Sequence, residues 1–185
     1  MAIGPFKDED FWLSNFGPGP VESYGIKYPH RENAYQAAKY NSRAAKLYIA
    51  SLKPGQAKRA GGGKMPSEFL NSLAIEGWEH RRVKIMEEVV KKCFQQNKWL
   101  ADKLIATNPA ELIEYNVWHD CFWGKCTCQL HKSKGENTLG KILMQVREEL
   151  RNEKAKRLGE LFKLSLRVQE CLPEWKAAGL FREEK

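Results

Sequence analysis

Carboxylic acids among aromatic residues are the first feature of this sequence that points to chemistry. Asp120 lies in the segment 117–124, whose sequence VWHDCFWG holds two tryptophans and a phenylalanine within eight residues. Apolar rings around a carboxylic acid exclude water and raise its pKa, as acid–base catalysis often requires. The alternative is a loop that its aromatic side chains pin to the core, with Asp120 as a turn or cap residue.

A second acid and a further tryptophan stand elsewhere in the chain. Glu32 follows the segment YPHR at 28–31 and falls in the first turn of a predicted helix. The helix dipole favours an acid at that position, so a catalytic role for Glu32 requires another acid and an aromatic wall nearby. Trp78 is predicted near the start of a later helix, where its indole either stacks on a nitrogen base or belongs to the core.

Cysteines and a histidine downstream of Asp120 have the residue types of a structural zinc site. They follow the pattern Cys121-x4-Cys126-x-Cys128-x2-His131. The spacing lacks a second pair of ligands, so packed free thiols and no metal are expected. Phosphate-loop, dinucleotide-binding, nucleophile-elbow and HExxH patterns are absent from the sequence.

The sequence pattern predicts that the elements positioning these residues are mainly helices. Good helix formers and apolar stripes at helical spacing predict helices over residues 32–52, 56–60, 76–96, 98–106, 137–150 and 152–171. Asn137 resembles a helix N-cap, and Pro173 is expected to end the last helix. Residues 11–16, 21–28 and 112–115 are expected to form short strands or ordered loops. The expected fold class is mainly α with a few short strands, and the alternative is α+β.

Charge and composition narrow the class of partner. The chain of 185 residues has a net charge of +8, which suits a phosphate-bearing partner or simply reflects a solvated basic surface. No apolar run approaches the roughly 20 residues of a membrane span. The first residues lack the plan of a signal peptide, and the 5 cysteines are expected to be reduced. We therefore expect an intracellular protein, cytoplasmic or nuclear, without a membrane partner.

Four blocks, in order along the chain, resemble the NADAR family, also described as riboflavin-intermediate N-glycosidases. Residues 11–16 (FWLSNF) are similar to its FLSNF signature, and 32–39 (ENAYQAAK) to its E-h-y-f-Q-A-x-K helix start. Trp78 and Met86 fit the helix between the blocks. Residues 120–124 (DCFWG) with 135–147 (GENTLGKILMQVR) resemble its closing motif. The resemblance covers about 11–151, which predicts a catalytic domain at 1–151 and a helical extension at 152–185, packed on the domain or on a partner.

The resemblance implies hydrolysis of an N-glycosidic bond without a metal or other cofactor. Its motifs make Glu32, Asp120 and Trp78 the catalytic candidates. Two substrate classes are associated with the family, namely ribosylamino-pyrimidine phosphates of riboflavin synthesis and ADP-ribose attached to guanine in DNA or RNA. The net charge of +8 favours the nucleic-acid substrate. Asn33, Ala34 and the Cys-rich stretch after Gly124 depart from the family pattern and bear on the choice of substrate.

The remaining candidates would bind the substrate. Those expected to bind the substrate without a phosphate role are Asn15, Phe16, Tyr35, Gln36, Trp123, Gly124, Leu139 and Gly140, with Trp123 as a stacking surface. Those expected to hold phosphates are Lys39, Lys64, Arg81 and Arg147, with backbone N–H groups at Gly61, Gly62 or the helix start at Asn137.

Two competing hypotheses need no catalytic pair of acids. A non-catalytic binder of ADP-ribose or a nucleotide would keep the aromatic and basic residues, but the presence of both Glu32 and Asp120 argues against it. A basic nucleic-acid-binding module would use residues 152–185. The apolar residues Leu158, Leu161 and Phe162 indicate instead that this segment packs on the domain or on a partner.

Overall fold

The structure is a computed structural model that describes residues 2–62 and 74–177, with residues 173–177 described by their backbone alone. The chain divides into two compact units, Met1–Glu148 and Glu149–Lys185. Helices dominate and strands are short, so the predicted mainly α class is confirmed.

The helices hold most of the described residues. A 3-10 helix spans Asp8–Leu13, and the α-helices are α1 (Arg31–Ala37), α2 (Arg43–Ser51), α3 (Pro54–Gly61), α4 (Trp78–Gln96), α5 (Lys98–Ala106) and α6 (Thr138–Ala177). The predictions for 76–96 and 98–106 are confirmed, because strong apolar stripes define both helices. The buried face of α4 consists of Met86, Val89, Val90, Cys93 and Phe94.

In the part of the chain that the structure describes, the strands form three pairs. β2 (Val21–Ser23) and β3 (Ile26–Tyr28) make an antiparallel hairpin, with Val21 opposite Tyr28. β1 (Ala2–Ile3) pairs in parallel with β4 (Glu111–Leu112). β5 (Tyr115–Asn116) pairs in parallel with β6 (Lys125–Cys126), so the loop 117–124 connects two strands that lie side by side.

The single helix predicted over 32–52 is wrong, because the chain turns between α1 and α2. The side chain of Ser42 accepts a hydrogen bond from the backbone N–H of Ala45 at 3.4 Å and caps the new helix. Tyr40 forms an isolated antiparallel bridge with Ala74. The helix predicted over 56–60 begins earlier, at Pro54, since proline fits the first turn of a helix.

The two predicted C-terminal helices are one continuous helix, α6. Residues 151–156 (RNEKAK) contain good helix formers and no glycine or proline, so nothing in them stops the helix. The predicted end at Pro173 is wrong, because the helix continues to Ala177. Within the unit Glu149–Lys185, the side chains of Leu158, Leu161 and Phe162 are exposed. Among residues 2–62 and 74–177, no helix has the length and hydropathy of a membrane span.

Helix α1 lies at the centre of the unit Met1–Glu148. All seven of its residues are buried, and it packs against α2, α3, α4 and the β2–β3 hairpin. Buried polar groups require partners. Asn33 donates to the carbonyl oxygens of Ile49 at 2.8 Å and Leu52 at 2.7 Å, which ties α1 to α2.

Arg31, the first residue of α1, holds the segment 11–17 in place. Its side chain is fully buried, and Nη2 donates to the carbonyl oxygens of Trp12 at 2.7 Å and Ser14 at 2.6 Å. The guanidinium also lies 5.0 Å from the ring centre of Phe94. One buried cation therefore fixes the FWLSNF block against α1 and α4.

Candidate active site

The segment 6–16, helix α1 and the loop between β5 and β6 enclose a cavity of about 570 Å³. The carboxylic acids among its described lining residues are Glu32, Glu114 and Asp120. Its aromatic lining residues are Phe6, Phe11, Phe16, Tyr35, Trp118 and Trp123. An apolar cavity with a few converging polar groups is the usual form of a small-molecule site.

Glu32 lies in the first turn of α1 and is 5% exposed. Burial raises the pKa of its carboxyl group above the usual value, and the charge of Asp120 raises it further. A hydrogen bond of 2.8 Å from Nε2 of Gln36 to Oε1 of Glu32 opposes that rise, as do the charges of Lys58 and Lys39. The amide of Gln36 and the two lysine charges therefore offset only part of the rise in pKa that burial causes.

Asp120 is both a turn residue and a residue that lines the first cavity. Its Oδ1 accepts the backbone N–H groups of Phe122 at 3.1 Å and Trp123 at 2.8 Å. The side chain of Asn116 bonds the backbone of Asp120 twice. Its Nδ2 donates to the carbonyl oxygen at 2.7 Å, and its Oδ1 accepts the N–H at 3.2 Å. The carboxyl group is therefore fixed in orientation at the cavity wall.

Glu114 is an acid that the sequence analysis missed. Burial raises its pKa to about 7, the charge of Asp120 also raises it, and Lys58 and Lys7 act in the opposite direction. Its Oε2 is buried without a hydrogen-bond partner among the described residues. A carboxylic acid with a pKa near neutrality suits proton transfer. The available signal was an acid directly after the apolar pair Leu112-Ile113.

A second cavity of about 520 Å³ adjoins the first and shares Tyr35, Gln36, Lys58 and Trp123 with it. The remaining lining residues are mainly cationic or aromatic, namely Lys39, Gly55, Arg59, Gly62, Trp78, Glu79 and Arg82. Positive charge in a confined cavity favours an anionic ligand.

Tyr35 and Lys39 join the elements around the second cavity. The ring of Tyr35 lies 5.0 Å from that of Trp78 and 5.7 Å from that of Trp123. Lys39 donates to the carbonyl oxygen of Gly61 at 2.7 Å, and its ammonium lies 5.0 Å from the ring centre of Trp78. Burial lowers the pKa of Lys39.

The sequence model of the NADAR domain matches residues 4–151. The chain belongs to the NADAR family.

Named relatives and a solved structure agree with this assignment. The "N-glycosidase YbiA" of Escherichia coli (strain K12) is 31% identical over 143 residues, which is 77% of this chain and 82% of that protein. "N-glycosidase Npun_R5314" of Nostoc punctiforme is 33% identical over 144 residues, 76% of this chain and 85% of that protein. The NMR structure of E. coli YbiA matches with a TM-score of 0.66 and 28% identity over 84% of this chain and 86% of that chain.

A longer relative carries a different name. The "Riboflavin biosynthesis protein VVA0006" of Vibrio vulnificus is 34% identical over 139 residues, or 75% of this chain. The match spans only 35% of that protein, so the chain corresponds to about a third of its length.

The NADAR blocks converge on the two cavities. The predicted residues that line the first are Glu32, Asp120, Asn15, Phe16, Tyr35, Gln36, Trp123 and Leu139. Those that line the second include Lys39, Gly62 and Trp78. Trp78 therefore lies beside the acids and not among them. Lys64 lies outside the described residues.

Arg82, and not the predicted Arg81, lines the second cavity of this NADAR protein. Arg81 is exposed. The guanidinium of Arg82 lies 3.7 Å from the ring centre of Phe122 and 3.1 Å from the carboxylate of Glu79. The spacing of Trp78, Arg82 and Met86 by four residues places them on one helix face, and this signal predicts Arg82.

Two predicted ligand residues, Asn137 and Gly124, instead hold Glu114 in place. Oδ1 of Asn137 accepts the backbone N–H of Glu114 at 3.0 Å, and Nδ2 donates to the carbonyl oxygen of Leu112 at 2.8 Å. Asn137 has a φ of 55°, and its side chain bonds the segment 112–114 through both of its polar atoms. A Cβ at Gly124 would collide with the carbonyl oxygen of Glu114, so only glycine fits there.

Arg147, Gly140 and Gly61 also have packing roles outside the cavity linings. Arg147 is 5% exposed and donates to Thr107 Oγ1 at 3.0 Å and to the carbonyl oxygen of Ala110 at 2.8 Å, which fixes the turn after α5. A Cβ at Gly140 would meet the backbone of Leu112, and a Cβ at Gly61 would meet the side chain of Gln36. Glycine at these two positions therefore allows Leu112 and Gln36 to pack closely against the helix backbone.

Proposed function

We propose that this protein hydrolyses the N-glycosidic bond between a ribose and a nitrogen base. The observation that carries the proposal is the convergence of Glu32, Glu114 and Asp120 on one aromatic-walled cavity. The names of the N-glycosidase relatives support the same reaction class. A module that only binds nucleotides would not require acids in such surroundings.

The reaction needs proton transfer and stabilisation of a cation. The bond between the anomeric carbon and nitrogen breaks through an oxocarbenium-like state, and a water oxygen then bonds to that carbon. Protons must pass from the water to a base and from an acid to the departing nitrogen. The cavity supplies acids for each task and aromatic faces against which a base can stack.

The three acids have different surroundings, and these indicate which role each acid has. Glu114, with a pKa near 7 and an unpartnered oxygen, is the proton donor to the leaving nitrogen. Glu32 accepts the proton from water, since a carboxylate whose pKa burial raises is a stronger base, and the amide of Gln36 bonds one of its oxygens. Asp120, whose orientation two backbone N–H groups fix, stabilises the cation.

The substrate that we favour is ADP-ribose attached to guanine in nucleic acid. The second cavity has room for more than a single phosphate and offers the cations of Lys39, Lys58, Arg59 and Arg82. The indole of Trp78 provides a surface on which adenine can stack. A pyrophosphate flanked by two nucleosides matches this arrangement of cationic and aromatic side chains in the cavity. The net charge of +8 suits a nucleic-acid backbone.

Ribosylamino-pyrimidine phosphates are the second candidate. They are supported by the Vibrio relative whose name refers to riboflavin biosynthesis. Such a substrate would place its ring and ribose among the acids and its phosphate near Lys58, which lines both cavities. Most of the second cavity would then have no ligand group to bind.

A parallel assay of both substrates separates the candidates. We expect release of ADP-ribose from guanine-modified DNA or RNA, weakening as salt rises because backbone contacts release counterions. Arg82→Gln should raise KM for this substrate by about tenfold, whereas the exposed neighbour variant Arg81→Gln should not. Turnover of the ribosylamino-pyrimidine phosphates alone would contradict the substrate assignment and leave the N-glycosidase proposal standing. Turnover of neither would contradict both.

A further inference from the structure

Outside the two cavities, two histidines and two cysteines converge from the loop between β5 and β6, the end of β6 and the turn that follows it. The side chains of His119, Cys126, Cys128 and His131 place their potential ligand atoms all within 4.8 Å of one another. Nδ1 of His119 lies 3.3 Å from Nδ1 of His131. Sγ of Cys128 lies 3.4 Å from the former and 3.1 Å from the latter.

The three distances among His119, Cys128 and His131 match three of the six edges of a tetrahedron around a zinc ion. With Zn–N near 2.0–2.1 Å and Zn–S near 2.3 Å, tetrahedral geometry places two nitrogens about 3.3 Å apart and a nitrogen and a sulphur about 3.5 Å apart. The separations above lie within a few tenths of an ångström of these values. Two thiolates with two imidazoles are a standard zinc ligand set.

Backbone hydrogen bonds shape the turn that presents three of these side chains. The backbone of Cys126 accepts from Ser133 at 2.7 Å and donates to the carbonyl oxygen of Lys134 at 2.9 Å, which closes the turn after β6. Within it, the N–H of His131 donates to the carbonyl oxygen of Cys128 at 3.1 Å and brings the two side chains to one side. Cys126 is buried, so it faces the interior of the loop.

We propose that His119, Cys126, Cys128 and His131 bind one zinc ion. This proposal revises the expectation of packed free thiols from the sequence, where Cys121 stood in the pattern and His119 did not. The pairing of β5 with β6 brings His119 to the cysteines, and Cys121 is not a member of the cluster. The spacing is therefore His-x6-Cys-x-Cys-x2-His.

The position of the site gives the ion a structural role. Four protein ligands fill a tetrahedral zinc, which leaves no position for substrate or water. His119 directly precedes Asp120, and Thr127 donates from its backbone to the carbonyl oxygen of Asn116 at 2.7 Å. The ion therefore links the turn after β6 to the segment that carries Asp120 and Trp118, and it holds this wall of the cavity in one conformation.

Metal content and affinity test the site directly. The full chain, purified without a metal-affinity tag and incubated with zinc, should retain about one zinc per chain by elemental analysis after gel filtration. Cys121→Ser, a control in the same loop, should retain the same amount. His119→Asn and Cys128→Ser should bind zinc at least about 10²-fold more weakly, because loss even of outer hydrogen-bond partners costs 10- to 100-fold.

Two further measurements keep the result interpretable. His119 is exposed and has a φ of 68°, a conformation that asparagine tolerates, so His119→Asn should fold even if Cys128→Ser does not. Cobalt added to the zinc-free wild type should give the visible absorption of a tetrahedral thiolate site, and it should be lost in His119→Asn. Stoichiometric zinc that survives in a folded His119→Asn would overturn the proposal. Wild-type protein that binds neither metal, or that forms a Cys126–Cys128 disulfide instead, would do the same.

Discussion

Glu114 allows a quantitative test of the site through protein stability. Its pKa rises from the usual 4.5 to about 7 in the folded protein, so folding favours the protonated form. Between those pH values the unfolded chain loses a proton that the folded protein keeps, and the free energy of unfolding therefore falls as pH increases. At about 1.4 kcal/mol for each pH unit, the total loss is about 3 kcal/mol, complete above pH 7.

The glutamine variant removes this titration while it keeps the shape of the side chain. We expect the free energy of unfolding of wild type, minus that of Glu114→Gln, to decrease by about 2 to 3 kcal/mol between pH 5 and pH 8. Urea unfolding at several pH values, followed by fluorescence of the tryptophans, measures this difference. Glu111→Gln, at an exposed position on β4, should follow wild type.

The same residue should control activity in a related way. A proton donor works in its protonated form, so kcat/KM of wild type should fall as pH rises through about 7. Glu114→Gln should lose at least about 10² in turnover and with it this descending limb. A stability difference that does not change with pH would refute the raised pKa, and an unaltered pH–rate profile in the variant would refute the role as donor.

Other substitutions test the remaining parts of the site. Glu32→Gln and Asp120→Asn should each lower turnover by at least about 10². Circular dichroism should show that both variants keep the fold. Near wild-type activity in either variant would remove that residue from the mechanism. Arg31→Met should reduce the free energy of unfolding by about 3 kcal/mol or more in urea titrations, since buried carbonyl oxygens lose a charged donor; a loss below about 1 kcal/mol would contradict its anchoring role. Gly61→Ala should displace Gln36 and lower kcat at least about tenfold, and unchanged kinetics would show that the amide position is unimportant.

The sequence predicts the helices that carry a clear apolar stripe and misses breaks that depend on distant contacts. Residues 98–106 match α5 because good helix formers and an apolar face agree there. The turn between α1 and α2 depends on the Ser42 cap and on the bridge from Tyr40 to Ala74. Ala, Lys and Gln on either side favour helix throughout, so local propensity hides the break.

The site shows the same division between local and long-range information. Glu32 and Asp120 lie within recognisable blocks, and both reach the cavity. Glu114 resembles the end of a buried strand, and only the pairing of β5 with β6 and the bonds from Asn137 bring it beside Asp120. His119 enters the cysteine cluster for the same reason. Residues joined by long-range strand pairing are those that spacing along the chain does not reveal.

The complete burial of α1 has a consequence for how this protein tolerates mutation. A surface helix has an outer face on which substitutions are nearly neutral, and α1 has none. Its inner polar residues, Glu32 and Gln36, occupy positions where an apolar side chain would avoid the cost of burying a polar group. Variants selected only for heat resistance should therefore accumulate apolar replacements on α1 and lose activity as they do, whereas selection for activity should keep this helix unchanged in a less stable protein.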